Sequence, residues 1–298
     1  MATTAVRQLE GSTATPHILR QVWQHWSRIP LKVQASFLVF ALLVILAIFP
    51  ALLTTVDPNQ PFFSDRLTAP FTNATYPLGT DDLGRDLVSR ILYGGRASLM
   101  IGVFATLFGL VLGVSLGVIA GYTGKWVENI VMYLVDVQLS LPFLLLAIAI
   151  ALVLGNSLTI LIIIAGLATW PSYARVCRGV VLSLRELDYV TSARAVGAGP
   201  IHIIVWHILP GLFAPVMVIA TISMGRVILI ESSLSFLGIG IKPPTPSWGQ
   251  MIEQGRSVLG SAWWVSTMPG IALTMLTMSI GTIGDWLRDV LDPTLSTS

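Results

Sequence analysis

Residues 97–122 read ASLMIGVFATLFGLVLGVSLGVIAGY, with no charge anywhere and glycine at 109, 113, 117 and 121. An α-helix needs about 20 apolar residues to cross roughly 30 Å of hydrocarbon, and this run exceeds that. No water is available there, so a spanning segment has to satisfy its own backbone hydrogen bonds, and it does so as a helix. Residues four apart share one helix face. Gly109, Gly113, Gly117 and Gly121, with Ala105 one step earlier, therefore form a strip without side chains. Such a strip lets another helix come close, backbone to backbone. The run predicts a packed transmembrane helix and leaves open which helix fills the strip, one from this chain or from another.

Five more apolar segments surround it: 35–53, 130–154, 158–174, 212–230 and 262–284. Each is expected to be one helix, which makes an all-α membrane protein of about six spans. Composition agrees. Of 298 residues, 54% are hydrophobic and 11% charged, whereas a soluble domain carries about 25% charged residues. Mean hydropathy is +0.79. The first apolar run is longer than the 7–15 residues of a signal-peptide core, so it is expected to stay as a helix. A net charge of +2 gives no basic surface for nucleic acid. Cys177 is the sole cysteine, so no intrachain disulfide is possible. His17, His25, His202 and His207 lack partners at ligand spacing, so no metal site is expected.

Lys and Arg placement sets orientation. With the N-terminus inside, ten of these residues fall on inner segments and six on outer ones, and Arg226 lies within a span. Both termini are therefore expected in the cytoplasm. The organisation that follows is a cytoplasmic segment over 1–34, a first transmembrane helix over 35–53, a periplasmic loop and lead-in over 54–96, a five-helix core over 97–290 and a cytoplasmic tail over 291–298.

The longest inner loop runs from Tyr173 to His207. Tyr189, Ala193 and Val196 fall at i, i+4 and i+7, one face of a short helix, with Arg185, Asp188 and Ser192 on another. Gly197 is placed to end that helix in the left-handed conformation, and Gly199-Pro200 to turn the chain. Periodicity alone allows this helix to lie on the membrane surface or to fit a groove on a partner.

Three charges interrupt the apolar runs or their ends: Asp136, Arg226 and Glu231. A charge at mid-membrane costs at least about 2.5–3.5 kcal/mol, so it faces a cavity or a partner. Two readings stand: the three line a translocation path, or they are structural.

The stretch from Tyr189 to Pro210 resembles the cytoplasmic Glu-Ala-Ala loop of bacterial ABC-importer permeases. Thr191-Ser192-Ala193 stands at the triplet, Gly197 four residues after its last position, and Leu209-Pro210 at the later Leu-Pro. Thr191 replaces the triplet's glutamate, Ser192 its first alanine, and His207 stands where isoleucine is common. Tyr76-Pro77-Leu78-Gly79-Thr80-Asp81-Asp82-Leu83-Gly84-Arg85-Asp86 is similar to the start of the homologous region in the dipeptide/oligopeptide/nickel subfamily, "C"-type partner. Glu231-Ser232-Ser233-Leu234-Ser235-Phe236-Leu237-Gly238, Pro246-Ser247-Trp248-Gly249 and Arg288-Asp289-Val290-Leu291-Asp292-Pro293 fit the same subfamily.

This resemblance implies a type I ABC-importer permease fold with a cytoplasmic coupling helix at about 184–200, in a bacterial inner membrane. It implies a homologous second permease subunit, two cytosolic ATP-binding subunits and a periplasmic or lipid-anchored substrate-binding protein. Asp188, Tyr189, Ala193, Arg194, Gly197 and Ala198 are the residues expected to dock on the ATPase. ATP and Mg would sit on the ATPases and no cofactor on this chain, which has no G-x-x-x-x-G-K-[ST] loop. Di- or oligopeptides are the expected cargo, with nickel or other small solutes as alternatives. A gradient-driven secondary transporter would favour inverted repeats and paired broken helices, which the sequence does not display. A membrane-embedded enzyme would need a nucleophile–base pair or metal cluster, and none is visible, so no catalytic residue is expected. A non-transporting scaffold is a further alternative.

Overall fold

The computed structural model of the chain describes residues 29–291. Arg7, Arg20 and Arg28, counted above on the expected inner side, and 292–298 of the expected tail lie outside the described residues. Among the described residues the regular structure is helical: α1 (Leu31–Ile48), α2 (Leu87–Thr123), α3 (Lys125–Ser140), α4 (Phe143–Leu154), α5 (Leu158–Leu167), α6 (Trp170–Leu184), α7 (Asp188–Ala195), α8 (Pro200–Phe236), α9 (Trp248–Arg256) and α10 (Trp264–Leu291). α1, α2, α8 and α10 are each long and apolar enough to cross a membrane unbroken. The pairs α3–α4 and α5–α6 reach that length only as bent units, which makes up to six spans.

The expectation of one helix over 130–154 needs correction. Leu141 and Pro142 break it with a 93° bend between α3 and α4. Proline donates no amide and forces its predecessor out of helical geometry, and Leu141 is extended at φ −90°, ψ 137°. The run 158–174 likewise bends by 41° between α5 and α6, with Pro171 in the first turn of α6. So the broken helices that the sequence did not display are present, and they do not by themselves separate transporter classes. α1 starts four residues before the predicted span and stops just before Pro50.

α2 is capped at its start by Asp86, whose carboxylate accepts from the amides of Val88 and Ser89 at 3.3 and 2.9 Å. With 37 residues it is about 55 Å long, and the other elements arrange around it. The glycine strip is filled from within the chain. A Cβ on Gly109 would lie 2.7 Å from the Gly166 carbonyl, one on Gly113 2.6 Å from Tyr173 Cβ, one on Gly117 2.5 Å from the Ala174 carbonyl and one on Gly121 2.8 Å from Val181 Cβ. Gly166 reciprocates against the Ala105 carbonyl, 2.8 Å from its own virtual Cβ. The α2 and α5–α6 backbones thus meet along four turns, a distance only glycine allows.

The end of the molecule at the start of α2 is a hub of rings and charges. Asp81 accepts from the Arg85 guanidinium at 2.7 Å and faces Arg90 at 3.5 Å. Arg90 also donates to Gln254 of α9 at 3.0 Å. Trp248 donates its indole N–H to the Ile91 carbonyl at 2.8 Å, and Trp264 to that of Thr80 at 3.2 Å. α9 was not foreseen: it is too short and polar to read as a span. Gly84 has φ +78°, and its virtual Cβ would lie 2.6 Å from the Phe62 carbonyl carbon, so the Asp81–Asp86 turn needs it.

Gly113→Ala is expected to lower stability by about 2 kcal/mol, as overpacking does. Gly179→Ala, whose added Cβ meets nothing within 4 Å, is expected to be neutral or slightly stabilising. Thermal unfolding of the detergent-purified variants separates the two. Equal melting temperatures would show that the seam tolerates a side chain.

Candidate functional site

At the opposite end of α2, α7 stands on a small apolar cluster. Val190 is fully buried there with Val118 of α2, Cys177 and Val181 of α6, and Ile203, Ile208 and Leu212 of α8. An eight-residue helix is marginal alone, so this anchoring holds it. The spacing had put Tyr189, Ala193 and Val196 on one face without saying which way it points; the structure turns Val190 in and leaves Val196 86% exposed. The reason is the register set by Leu187, extended at φ −69°, ψ 148°, which starts the helix.

The end of α7 follows the predicted chemistry. Gly197 has φ +87°. Its amide donates to the Arg194 carbonyl at 3.1 Å and the Ala198 amide to that of Ala193 at 3.0 Å. This pair of bonds is the Schellman ending. Ala198 then packs onto the Val190 cluster. Gly199 keeps an ordinary φ of −70°, and Pro200 opens α8. Asp188 lies in the first turn of α7 and Arg194 in the last, each complementing the helix dipole. Tyr189 stacks on His207 with ring centroids 6.2 Å apart and donates to its carbonyl at 3.3 Å. The departure from isoleucine at His207 thus has a local partner.

The loop is tied to the spans by Arg185, which donates to the Gly121 carbonyl at 2.8 Å, and beside it Arg178 of α6 donates to Glu128 of α3 at 2.7 Å. What α7 presents outward is Asp188, Tyr189, Thr191, Ser192, Arg194 and Val196. Its deepest apolar side chain already points into the protein. A helix lying in the membrane surface needs a broad apolar face and a basic one; in α7 Val190 is buried and Arg194 is the one basic residue.

The three interrupting charges separate. Asp136 pairs with Arg175 of α6 at 2.7 Å, both side chains more than half exposed. Glu231 is 1% exposed, accepting from Ser235 at 2.8 Å and lying at 3.4–3.5 Å from the hydroxyls of Ser232 and Ser98. Glu231 therefore ties α8 to α2. Arg226 is exposed on α8 and forms no ion pair among the described residues. It lines a cavity of about 400 Å³ at the α3–α4 bend, with Gln138, Phe143, Ala168 and Ser233. Sequence reasoning missed Val190, whose lone apolar residue in a polar stretch was the signal, and Gln138, which accepts from the Trp170 indole at 2.6 Å.

A helical core of bent and unbroken spans with a small helix mounted at one end defines a polytopic membrane permease. Residues 113–297 match the family described as binding-protein-dependent transport system inner membrane component, and the chain belongs to that family. It is 38% identical over 291 residues to the di/tripeptide transport system permease protein DppC of Pseudomonas aeruginosa, covering 96% of this chain and 95% of the relative. It is 41% identical over 250 residues to the dipeptide transport system permease protein DppC of Alkalihalophilus pseudofirmus, covering 84% and 82%. The glutathione transport system permease protein GsiD of Pectobacterium atrosepticum is 37% identical over 286 residues, covering 96% and 94%. Among solved structures, inward-facing MetNI methionine ABC transporter gives a TM-score of 0.55 at 22% identity, covering 68% of this chain and 96% of that one. That last likeness establishes the type of fold. Family membership sets aside the gradient-driven reading.

Gly197→Val is expected to strain the left-handed position by about 1–2 kcal/mol and fray the end of α7. Amide hydrogen exchange at 195–198 should then run about tenfold faster than in the unmodified protein, while Gly199→Ala leaves it unchanged. Unchanged protection in Gly197→Val would show that the cap does not hold the helix.

Proposed function

We propose that this chain is one of two permease subunits of an ATP-driven importer of short peptides, and that α7 is the element through which the ATPases move it. The observation that carries this reading is α7 itself: a polar-faced helix, pinned by Val190 to α2, α6 and α8, with Asp188, Ser192 and Arg194 exposed and neither charge in an ion pair among the described residues. A rigid helix with a displayed face suits a groove on another protein. Asp188, Tyr189, Ala193, Arg194, Gly197 and Ala198 form or support that face. The peptide cargo rests on the names of relatives that match nearly end to end.

In this reading α7 and both chain termini lie in the cytoplasm of a bacterium, and the Asp81 hub faces outward toward a binding protein. Nucleotide and magnesium belong to two cytosolic ATPases, and this chain holds no cofactor. Closure of the ATPase pair moves α7. Its anchoring carries α2 and α6 along as one body, and the assembly switches between inward-open and outward-open states. Arg226 faces the translocation path. An unpaired guanidinium on a span is too costly to face lipid, and the cavity at the α3–α4 bend offers it water. The Asp136–Arg175 pair continues that polar side toward α7, whereas Glu231 is a structural tie.

In the complete reconstituted transporter, Gly197→Val is expected to hydrolyse ATP while importing peptide at least about tenfold more slowly. Parallel assays of hydrolysis and uptake check this, and wild-type coupling would reject the role of α7. Arg226→Ala is expected to assemble normally, judged by copurification of all subunits, and to lower peptide uptake. Full uptake would remove Arg226 from the path.

A further inference from the structure

A second cavity, of about 640 Å³, opens at the end opposite α7, within the size range of small-molecule sites. Its floor is α2, through Tyr93, Arg96 and Met100; its walls are the loop after α1, through Asp57 and Asn59, and the loop before α9, through Ile241. The walls are mostly apolar, with one cation and one anion among the lining residues.

Arg96 differs from its neighbours. Arg85 and Arg90 pair with Asp81, and Arg66 donates to the Asp82 carbonyl at 2.6 Å. The Arg96 guanidinium makes neither an ion pair nor a hydrogen bond among the described residues, although it sits about 14 Å into α2. Arg96 is exposed at the mostly apolar cavity, where an unpaired guanidinium is open to an anion, and its planar fork suits a carboxylate with two parallel bonds. Asp57, exposed and lining the same cavity, has no ion-pair partner among the described residues, and one of its oxygens accepts from the Asn59 amide at 2.8 Å. Such a carboxylate suits an ammonium. We propose that this cavity is a receiving site for the free ends of a short peptide, with Arg96 taking the α-carboxylate and Asp57 the α-ammonium. The proposal rests on the importer reading above and adds to it the outer position where this chain first holds its cargo.

The native cysteine Cys177 is fully buried, so Thr55→Cys at the cavity rim provides a selective reporter. In the complete complex, labelling of that cysteine by a water-soluble maleimide is expected to slow about tenfold with a saturating dipeptide, the size of effect that a charge-assisted contact supports. The C-terminal amide of the same dipeptide is expected to protect poorly. Arg96→Gln should abolish the protection and Arg96→Lys retain part of it. Equal protection by acid and amide, protection that survives Arg96→Gln, or a cysteine unreactive in the complex because a partner covers it would each overturn the site. ATP-driven dipeptide uptake by the same complex separates the two levels: import without protection rejects this site alone, and absence of import rejects the importer reading.

Discussion

The close approach of α2 to the bent pair α5–α6 is the constraint on which the rest of the architecture depends. In hydrocarbon there is no hydrophobic drive to bring helices together, so contact area and backbone proximity have to supply it. Gly109, Gly113, Gly117 and Gly121 remove every side chain from one face of α2 over four turns. Each is met by a backbone or Cβ atom of 166–181 at a distance that excludes a methyl group. α2 and α6 are therefore packed backbone to backbone. Glu231, buried against Ser98, adds α8 to that packing near its other end.

α7 draws its meaning from that packing. By itself it is a two-turn helix of eight residues with little propensity. Val190 plugs it into the ends of α2, α6 and α8, and Gly197 closes it so that Ala198 returns to the same cluster. A push on its outer face has nowhere to dissipate before it reaches the glycine seam. If α7 is the contact with a motor, as proposed, its short capped form suits that role, because flexibility there would absorb the stroke.

Much of this was legible in the sequence, because the relevant signals are local. Four glycines in register state a close contact, and a glycine between a polar helix and Gly199-Pro200 states a cap. The partner of the strip was not legible, since proximity between 109–121 and 166–181 is a tertiary fact. The bend at Leu141-Pro142 was hidden by hydropathy, which stays high through it; the proline was the better guide. Val190 was missed because the periodicity through Tyr189, Ala193 and Val196 suggested a neighbouring face, and the start of the helix at Leu187 decided otherwise. Of the three charges, sequence could state the cost but not the partners. Arg175 for Asp136 and the serines for Glu231 come from other turns and other helices.

If α7 transmits the stroke as proposed, it and the seamed helices move as one unit. Spin labels on Ser192→Cys in α7 and Thr123→Cys at the end of α2, both exposed positions, allow a direct distance measurement by pulsed electron resonance in the complete transporter. The same narrow distance distribution is expected without nucleotide and in an ATP-trapped state, while distances from either label to the partner subunits change. A shift or broadening between the two labels of this chain would contradict it.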